Sequence, residues 1–406
     1  MSDLSDKDQL SRELHERSHD IGGHPIGLDS VKQSARKIQR RRRVVGGAVA
    51  AAVLAVAVPA GLAVTNGINQ TSPGPVAPGP SVTKTATPRP DGPVTLTMQG
   101  LPRGEKPGVA YFEGGSNKEL VTPDGTKSLP VGMQGLTPYD GGWIGLGYDG
   151  RGEEMFLLDA DLEVTDHFSS GQRFAVSSDG SQVAYVRIED DDSQTLVNAP
   201  TDGTDPVTWS FAQRPPISPV GFVDADTVLY QTEEQHQQIG LATVGGETEQ
   251  LDGFVKVTGA STANGLVAGQ TRSNPDGSGC FGVMDPAAST SEMVWETCDY
   301  SVGSFSPDGQ LVLGGDAYGD GIGARSVSVL DAQTGDLVVT YQQDRDSQIM
   351  MPQVVWEDSD SVLATAVEGQ DWTLLRLTSG GEVEAATDPV KADPYADFYY
   401  VFATPG

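Results

Sequence analysis

Cys280 and Cys298 are the only cysteines among 406 residues. They flank the runs CFGVMD and EMVWETC, which fold back on each other about residue 289. That hairpin sets the two thiols opposite one another, and in an oxidising compartment a disulfide is expected. Closing this loop would stabilise the fold by about 3 kcal/mol in the chain-entropy account. Nothing here has the CxxC pattern, so redox cycling is not expected. Two groups of acids raise the question of calcium: Glu189-Asp190-Asp191-Asp192, and Asp316 with Asp320. Neither has the alternating ligand spacing of a calcium loop, so solvated loop acids are expected. His15, His19 and His24 have no cysteine near them and read as surface histidines rather than zinc ligands. His167 and His236 accompany no nucleophile pattern, and no GxSxG elbow occurs. The S-x-D-x-G-x-T-W box of sialidase propellers is also missing. Carboxylates are numerous enough that a glycosidase-like pair stays open. Trp143, Trp209, Trp295, Trp356 and Trp372 each fall in a strand-like run and read as core packing rather than a sugar platform. No catalytic, cofactor-binding or metal residue is assigned, and the expected role is not enzymatic.

The element that would carry these residues is a repeat. A short strand ends in an Asp/Gly turn, an apolar strand follows, and two more strand-like runs come after it. SSDGSQVAYV (177–186) and SPDGQLVLGG (306–315) are the clearest copies. Weaker copies start at Lys106, Pro138, Phe222, Ser261 and Trp356. The turns fall near Gly108, Asp140, Asp179, Asp224, Asn264, Asp308 and Asp358, spaced 32, 39, 45, 40, 44 and 50 residues apart, close to the roughly 40–50 expected of a propeller blade. Asp and Gly accept the positive φ that tight hairpin turns need. The runs are too short for helices, and no helical pattern of useful length follows Val64. Four short antiparallel strands per copy predict an all-β, seven-bladed β-propeller over residues 93–406, with six and eight blades as the neighbouring counts. A two-sheet sandwich array is the structural alternative. A closed ring needs a strand from one terminus to complete the blade of the other. VTLTM (94–98) and DFYYVFA (397–403) are the two candidates, and the sequence does not choose between them.

The turns SSDGSQVAY and SPDGQLVLG resemble the WD40-like repeats of TolB-type propellers, whose pattern runs roughly S-P-D-G-x-x-[LIV]-A-[FY]. The other copies lack the Pro or the Gly. The resemblance spans about 300 residues and implies a fold. By analogy alone it also suggests binding of peptide segments from partner proteins.

The rest of the chain places this body. Residues 44–64, VVGGAVAAAVLAVAVPAGLAV, form an uncharged run of the roughly twenty residues that cross a hydrocarbon core. Arg40 to Arg43 precede it and the other flank carries no charge until Lys84, so the N-terminus is expected inside and the body outside. A cleaved secretory signal is the alternative; its basic leader would be unusually long. Residues 65–92 are rich in Pro, Ser, Thr and Gly and read as an extended, semi-rigid linker. Residues 1–43 form a basic head. Leu28, Val31, Ala35 and Ile38 make a narrow apolar stripe there, read either as a binding face or as part of a juxtamembrane tail. The head and span together resemble the heads of single-pass actinobacterial proteins, some of them companions of extracytoplasmic-function sigma factors. That resemblance implies a cytoplasmic sigma-factor partner, although a zinc-type His and CxxC motif is missing.

The formal charge of −30 is uneven. Residues 1–66 carry ten Lys/Arg against seven Asp/Glu, whereas the remainder carries 16 against 49. Such a body should repel nucleic acid and anionic lipid. Three functions follow as expectations. The first is a membrane-anchored, non-enzymatic module that binds a protein, peptide or other ligand of the envelope. The second is a transmembrane regulator of the anti-sigma kind with a propeller sensor. The third is a propeller hydrolase or lyase.

Overall fold

The computed structural model describes residue 90 and residues 92–403, apart from the loop segments 115–118, 131–132, 149–152, 190, 202–203, 213–214, 233–237, 275–277, 289–292, 318–322, 345–346 and 395–397. Among the described residues every named element is a strand, and no helix is long and apolar enough to cross a membrane. The head, the apolar run 44–64 and almost all of the linker lie outside them.

The strands form seven antiparallel blades. Strand β1 (Val94–Leu96) precedes them. Blade 1 holds β2 (Tyr111–Glu113), β3 (Glu119–Thr122) and β4 (Gly125–Ser128). Blade 2 holds β5 (Met133–Tyr139), β6 (Gly142–Tyr148), β7 (Glu153–Asp159) and the first half of β8 (Val164–Val176). The second half of β8 opens blade 3, followed by β9 (Gln182–Ile188), β10 (Gln194–Pro200) and β11 (Val207–Phe211). Blade 4 is β12 (Ile217–Asp224), β13 (Thr227–Thr232), β14 (Ile239–Thr243) and β15 (Thr248–Gln250). Blade 5 is β16 (Lys256–Ala260), β17 (Val267–Ser273), β18 (Gly279–Met284) and β19 (Met293–Thr297). Blade 6 is β20 (Tyr300–Phe305), β21 (Leu311–Asp316), β22 (Ser326–Asp331) and β23 (Leu337–Gln343). Blade 7 is β24 (Val354–Trp356), β25 (Ser361–Glu368), β26 (Asp371–Thr378) and β27 (Val383–Ala385), with β28 (Val390–Lys391) added to β26.

The two terminal candidates divide the work between them. Strand β29 (Tyr400–Phe402) pairs with β2 and supplies the missing inner strand of blade 1, so the C-terminal segment closes the ring. Strand β1 instead lies parallel to β23 as a fifth, outer strand of blade 6. Gly108 therefore marks the chain's entry into blade 1 rather than a hairpin turn, because the strand that would precede it comes from the other end of the body.

Burial follows from blade stacking. A middle strand is covered on both faces by neighbouring blades, and β25 and β13 accordingly read as nearly continuous buried runs. Outer strands meet water: β15 is exposed throughout and β19 alternates. The apolar clusters lie between blades, not within them. One joins blades 1 and 2 through Phe112, Leu136 and Trp143. Others join 2 to 3, 3 to 4, 4 to 5 and 5 to 6. The largest runs from blade 6 through Trp356 and Trp372 of blade 7 to Tyr111 and Tyr400 of blade 1, which completes the circle.

Candidate functional site

The first strands of successive blades, β8, β12, β16, β20 and β24, pack side by side and converge on the axis. Each runs from one end of the propeller to the Asp/Gly turn at the other. In blade 3 the Ser177 hydroxyl donates to Asp179 (2.7 Å) and accepts from the Gln182 amide (2.9 Å). In blade 6 the Ser306 hydroxyl donates to Asp308 (2.7 Å) and accepts from the Leu311 amide (3.0 Å). Gly180 and Gly309 both take φ 72°, which only glycine adopts freely. Burial opposes ionisation of Asp179, but donors from Ser177 and Ser181 outweigh it and hold its carboxyl below the usual carboxylate range. The repeated Ser-x-Asp-Gly motif is therefore a self-satisfied turn whose polar groups are spent on the backbone.

These turns bind one another around the axis. The Ser178 hydroxyl of blade 3 meets the Thr262 hydroxyl of blade 5, reaching past blade 4. Gln182 donates to the Ala225 carbonyl of blade 4, and Asn264 to the Gly309 carbonyl of blade 6. Behind them is a cavity of about 30 Å³ lined by Val176, Phe222, Ser261, Ser304 and Ser306. It has room for about one water. Ser304 is 2% exposed, and its hydroxyl faces no partner among the described residues. Side chains of nearby blades thus draw the turn end of the axis together.

The other end differs. Met133, Arg173, Lys256, Tyr300 and Val354, near the beginnings of the inner strands, are all half-buried. Two of the five are cations in a body dominated by acids. Burial, and then the neighbouring Arg173 charge, pushes the Lys256 ammonium below the ordinary lysine range.

Three glutamines fasten the inner strands from blade to blade. The Gln194 side chain accepts from the Ile217 amide (2.9 Å) and donates to the Ala212 and Pro215 carbonyls (3.0 Å each). Gln231 accepts from the Val257 amide (3.3 Å), and Gln353 from the Phe402 amide (2.9 Å). The last of these ties blade 7 to the closing strand. Beside it Arg376 of β26 binds both oxygens of Glu357, one oxygen of Glu384, and the Glu105 and Lys106 carbonyls (3.2 Å each). Glu357 in turn accepts from the Gly108 amide (2.6 Å). Glu357 occupies the place that Ser306 has in blade 6, so blade 7 uses this turn position to hold the chain entering blade 1. Neither the glutamines nor this seam was read from the sequence. Their only signal is a polar residue inside an otherwise apolar strand run.

Cys280 of β18 and Cys298, just past β19, are joined by a disulfide with Cα atoms 4.1 Å apart. The register that sets Phe281 against Thr297 brings them opposite each other, as the sequence predicts. The Arg272 guanidinium donates to the Cys280 sulfur (3.0 Å). Of the acids singled out in the sequence, Asp191 lies in a loop and Asp316 ends β21. Asp191 caps the Ser193 amide (3.0 Å), and Asp316 accepts from the Ser326 hydroxyl (2.7 Å). Asp190, Asp320 and His236 lie outside the described residues. His167 is exposed on β8, stacked on Phe156, and its Nε2 stands 3.9 Å from Glu154. The five tryptophans all lie in strands; Trp356 and Trp372 are fully buried, and the indoles of Trp356 and Trp295 donate to the Ser304 (3.0 Å) and Ala332 (2.9 Å) carbonyls. A wider cleft of about 320 Å³ opens between blades 3 and 4, lined among others by Phe211, Pro215, Tyr230, Gln238, Thr248 and Glu249.

No protein-family model and no curated protein matches this sequence. Solved structures offer distant likenesses. The uncharacterized protein lmo1340 of Listeria monocytogenes aligns over 63% of this chain and 83% of its own, at 9% identity and a TM-score of 0.48. The β-propeller domain of the Trilobed protease from Pyrococcus furiosus aligns over 64% and 85%, at 11% identity and 0.45. TolB from Acinetobacter baumannii aligns over 70% and 67%, at 13% identity and 0.38. Likenesses this distant leave the assignment to the strand order and the inter-blade cores. By those, the body is an all-β, seven-bladed propeller closed by its C-terminal strand.

Proposed function

We propose that this chain is a single-pass envelope protein whose extracytoplasmic propeller is a non-enzymatic binding module, and that it takes a peptide segment of a partner at the axial end bearing Arg173 and Lys256. One observation carries the reading: the two ends of the axis are unlike. At the turn end, hydroxyls and amides of different blades satisfy one another. At the other, two cations stand on half-buried inner strands amid an acidic surface. Half-burying the Lys256 ammonium costs free energy, and binding of a complementary group there offsets that cost. The uncharged run 44–64 and its arginine flank support anchoring with the body outside.

Site-specific photo-cross-linking in the full-length chain tests this. A cross-linker at Tyr300 should capture a discrete envelope protein, and one at Pro307 on the turn end should not. Capture from Pro307 alone would overturn the axial assignment. An N-terminal tag that stays in the same polypeptide as a surface-accessible body supports the anchor; loss of the tag from the mature body contradicts it.

A further inference from the structure

We propose that the Cys280–Cys298 disulfide is a thiol–disulfide exchange site, independent of the axial reading above. A dithiol reductant without net negative charge opens it at Cys298, and Arg272 holds the departing Cys280 sulfur. Three strands set the arrangement. The middle strand β18 carries Cys280, with β17 on one side and β19 on the other. The β18–β19 register sets Phe281 against Thr297, so Cys298 comes opposite Cys280 and bonds to it. On the β17 side a bulge intervenes. Gln270 faces Phe281, yet Arg272 rather than Thr271 faces Cys280. A regular ladder would set Thr271 there, and a bulge is the device that re-aims a side chain. Here it brings the guanidinium Nη2 to 3.0 Å from the Cys280 sulfur and 3.7 Å from the Cys298 sulfur. The spacing of the cysteines, which lacks CxxC, gives no sign of this cation.

The two sulfurs are unlike. Cys280 is 2% exposed, whereas Cys298 lies at the surface just past β19. An attacking thiolate therefore reaches Cys298. A new S–S bond forms there, the Cys280–Cys298 bond breaks, and its electron pair leaves on Cys280 as a thiolate. The second thiol of the reductant gives its proton to water and attacks its own mixed-disulfide sulfur. Cys298 then leaves as a thiolate and takes a proton from water. Two electrons have passed from the dithiol, now a disulfide, to the chain. A buried sulfur is ordinarily a poor leaving group, because apolar burial disfavours the thiolate. A guanidinium in contact favours the thiolate and speeds its departure. Among the described residues no carboxylate lies within ion-pair distance of Arg272. Glu296 accepts instead from the Thr271 hydroxyl. Glu296 and Asp299 also flank Cys298 in sequence, so an anionic thiol is repelled there.

The test uses the full-length chain in lipid nanodiscs, with dithiothreitol as the neutral dithiol. Samples are quenched in acid and mapped by mass spectrometry. The disulfide should open while hydrogen exchange shows the blades still folded. Mercaptoethanol, a neutral monothiol, should be captured on Cys298 and not on Cys280, and faster than anionic glutathione at equal thiolate concentration. Arg272 is solvent-exposed, which tempers its effect; opening by dithiothreitol should slow about tenfold in Arg272→Gln and largely recover in Arg272→Lys. In Cys298→Ser the one remaining thiol, Cys280, should titrate below the usual value of about 8.5, and above it once Arg272→Gln is added. Opening only at the rate of global unfolding, capture on Cys280, or an unchanged rate in Arg272→Gln would each overturn the exchange site. Equal capture of glutathione would overturn the class of reductant. The wild-type capture pattern decides even where a variant does not fold.

Discussion

At Arg376 one guanidinium answers two carboxylates and two carbonyls, and the farthest of them, at Glu105, lies 271 residues away in sequence. Arg376 is 12% and Glu357 7% exposed, so the pair is shielded from screening by water. The hydrogen bonds of Glu357 hold the Arg376 proton more tightly than usual, against the opposing effect of burial. Arg376→Ala leaves Glu357 buried and unmatched, and the expected loss is about 3–5 kcal/mol in denaturant unfolding. Arg376→Met with Glu357→Leu should cost less than the single change, because no orphan charge remains. A second residue-scale outcome concerns phenols near the seam. Burial pushes Tyr111, Tyr341 and Tyr400 up to about 12. A phenol whose proton is held more tightly in the folded state contributes stability that is whole below about pH 10 and lost as pH rises from 10 toward 12. Lys256 acts the other way, since its lowered pKa makes stability rise with pH below the ordinary lysine value. Three phenols outweigh one amine, so melting temperature should fall above pH 10. Tyrosine absorbance should show at least three phenols ionising late. Ionisation of all eleven tyrosines near pH 10 with no loss of stability would contradict this.

At the scale of elements, the hairpins were legible and the ring closure was not. An Asp/Gly turn and two alternating runs are local, and the chemistry that forms them lies within ten or fifteen residues. Ser177, Asp179 and Gly180 could be read as a turn, and the facing of Cys280 and Cys298 followed from one hairpin. The choice between β1 and β29 depends on which strand finds an open edge more than 200 residues away, and strand periodicity carries no such information. Arg173 and Lys256 lie in blades 3 and 5, whose inner strands both pack on β12 of blade 4, a relation that no local pattern in the sequence carries. The same holds for Gln194, Gln231 and Gln353, each of which serves the blade after its own. Leu96 tests the unexpected place of β1. It is 1% exposed within the largest core cluster, so Leu96→Ala should cost about 2–5 kcal/mol, whereas a frayed terminal strand would cost almost nothing. The disulfide closes a local loop in one blade. Replacing both cysteines by serine should lower stability by about 3 kcal/mol and make the melt insensitive to reductant.

At the scale of the whole molecule, charge and anchorage act together. In the anchored arrangement proposed above, a body with 49 acidic against 16 basic residues is kept clear of anionic lipid by like-charge repulsion. The inter-blade clusters form one continuous ring, so occupancy at the axial end should stiffen the inner strands more than the outer ones. Hydrogen exchange measures this directly, on the full-length chain with and without the partner captured through Tyr300. Binding at the axis should slow exchange at the beginnings of β12, β16 and β20 and leave β15, β19 and the Asp/Gly turns unchanged. Protection confined to the turn end, or to the cleft between blades 3 and 4, would contradict it.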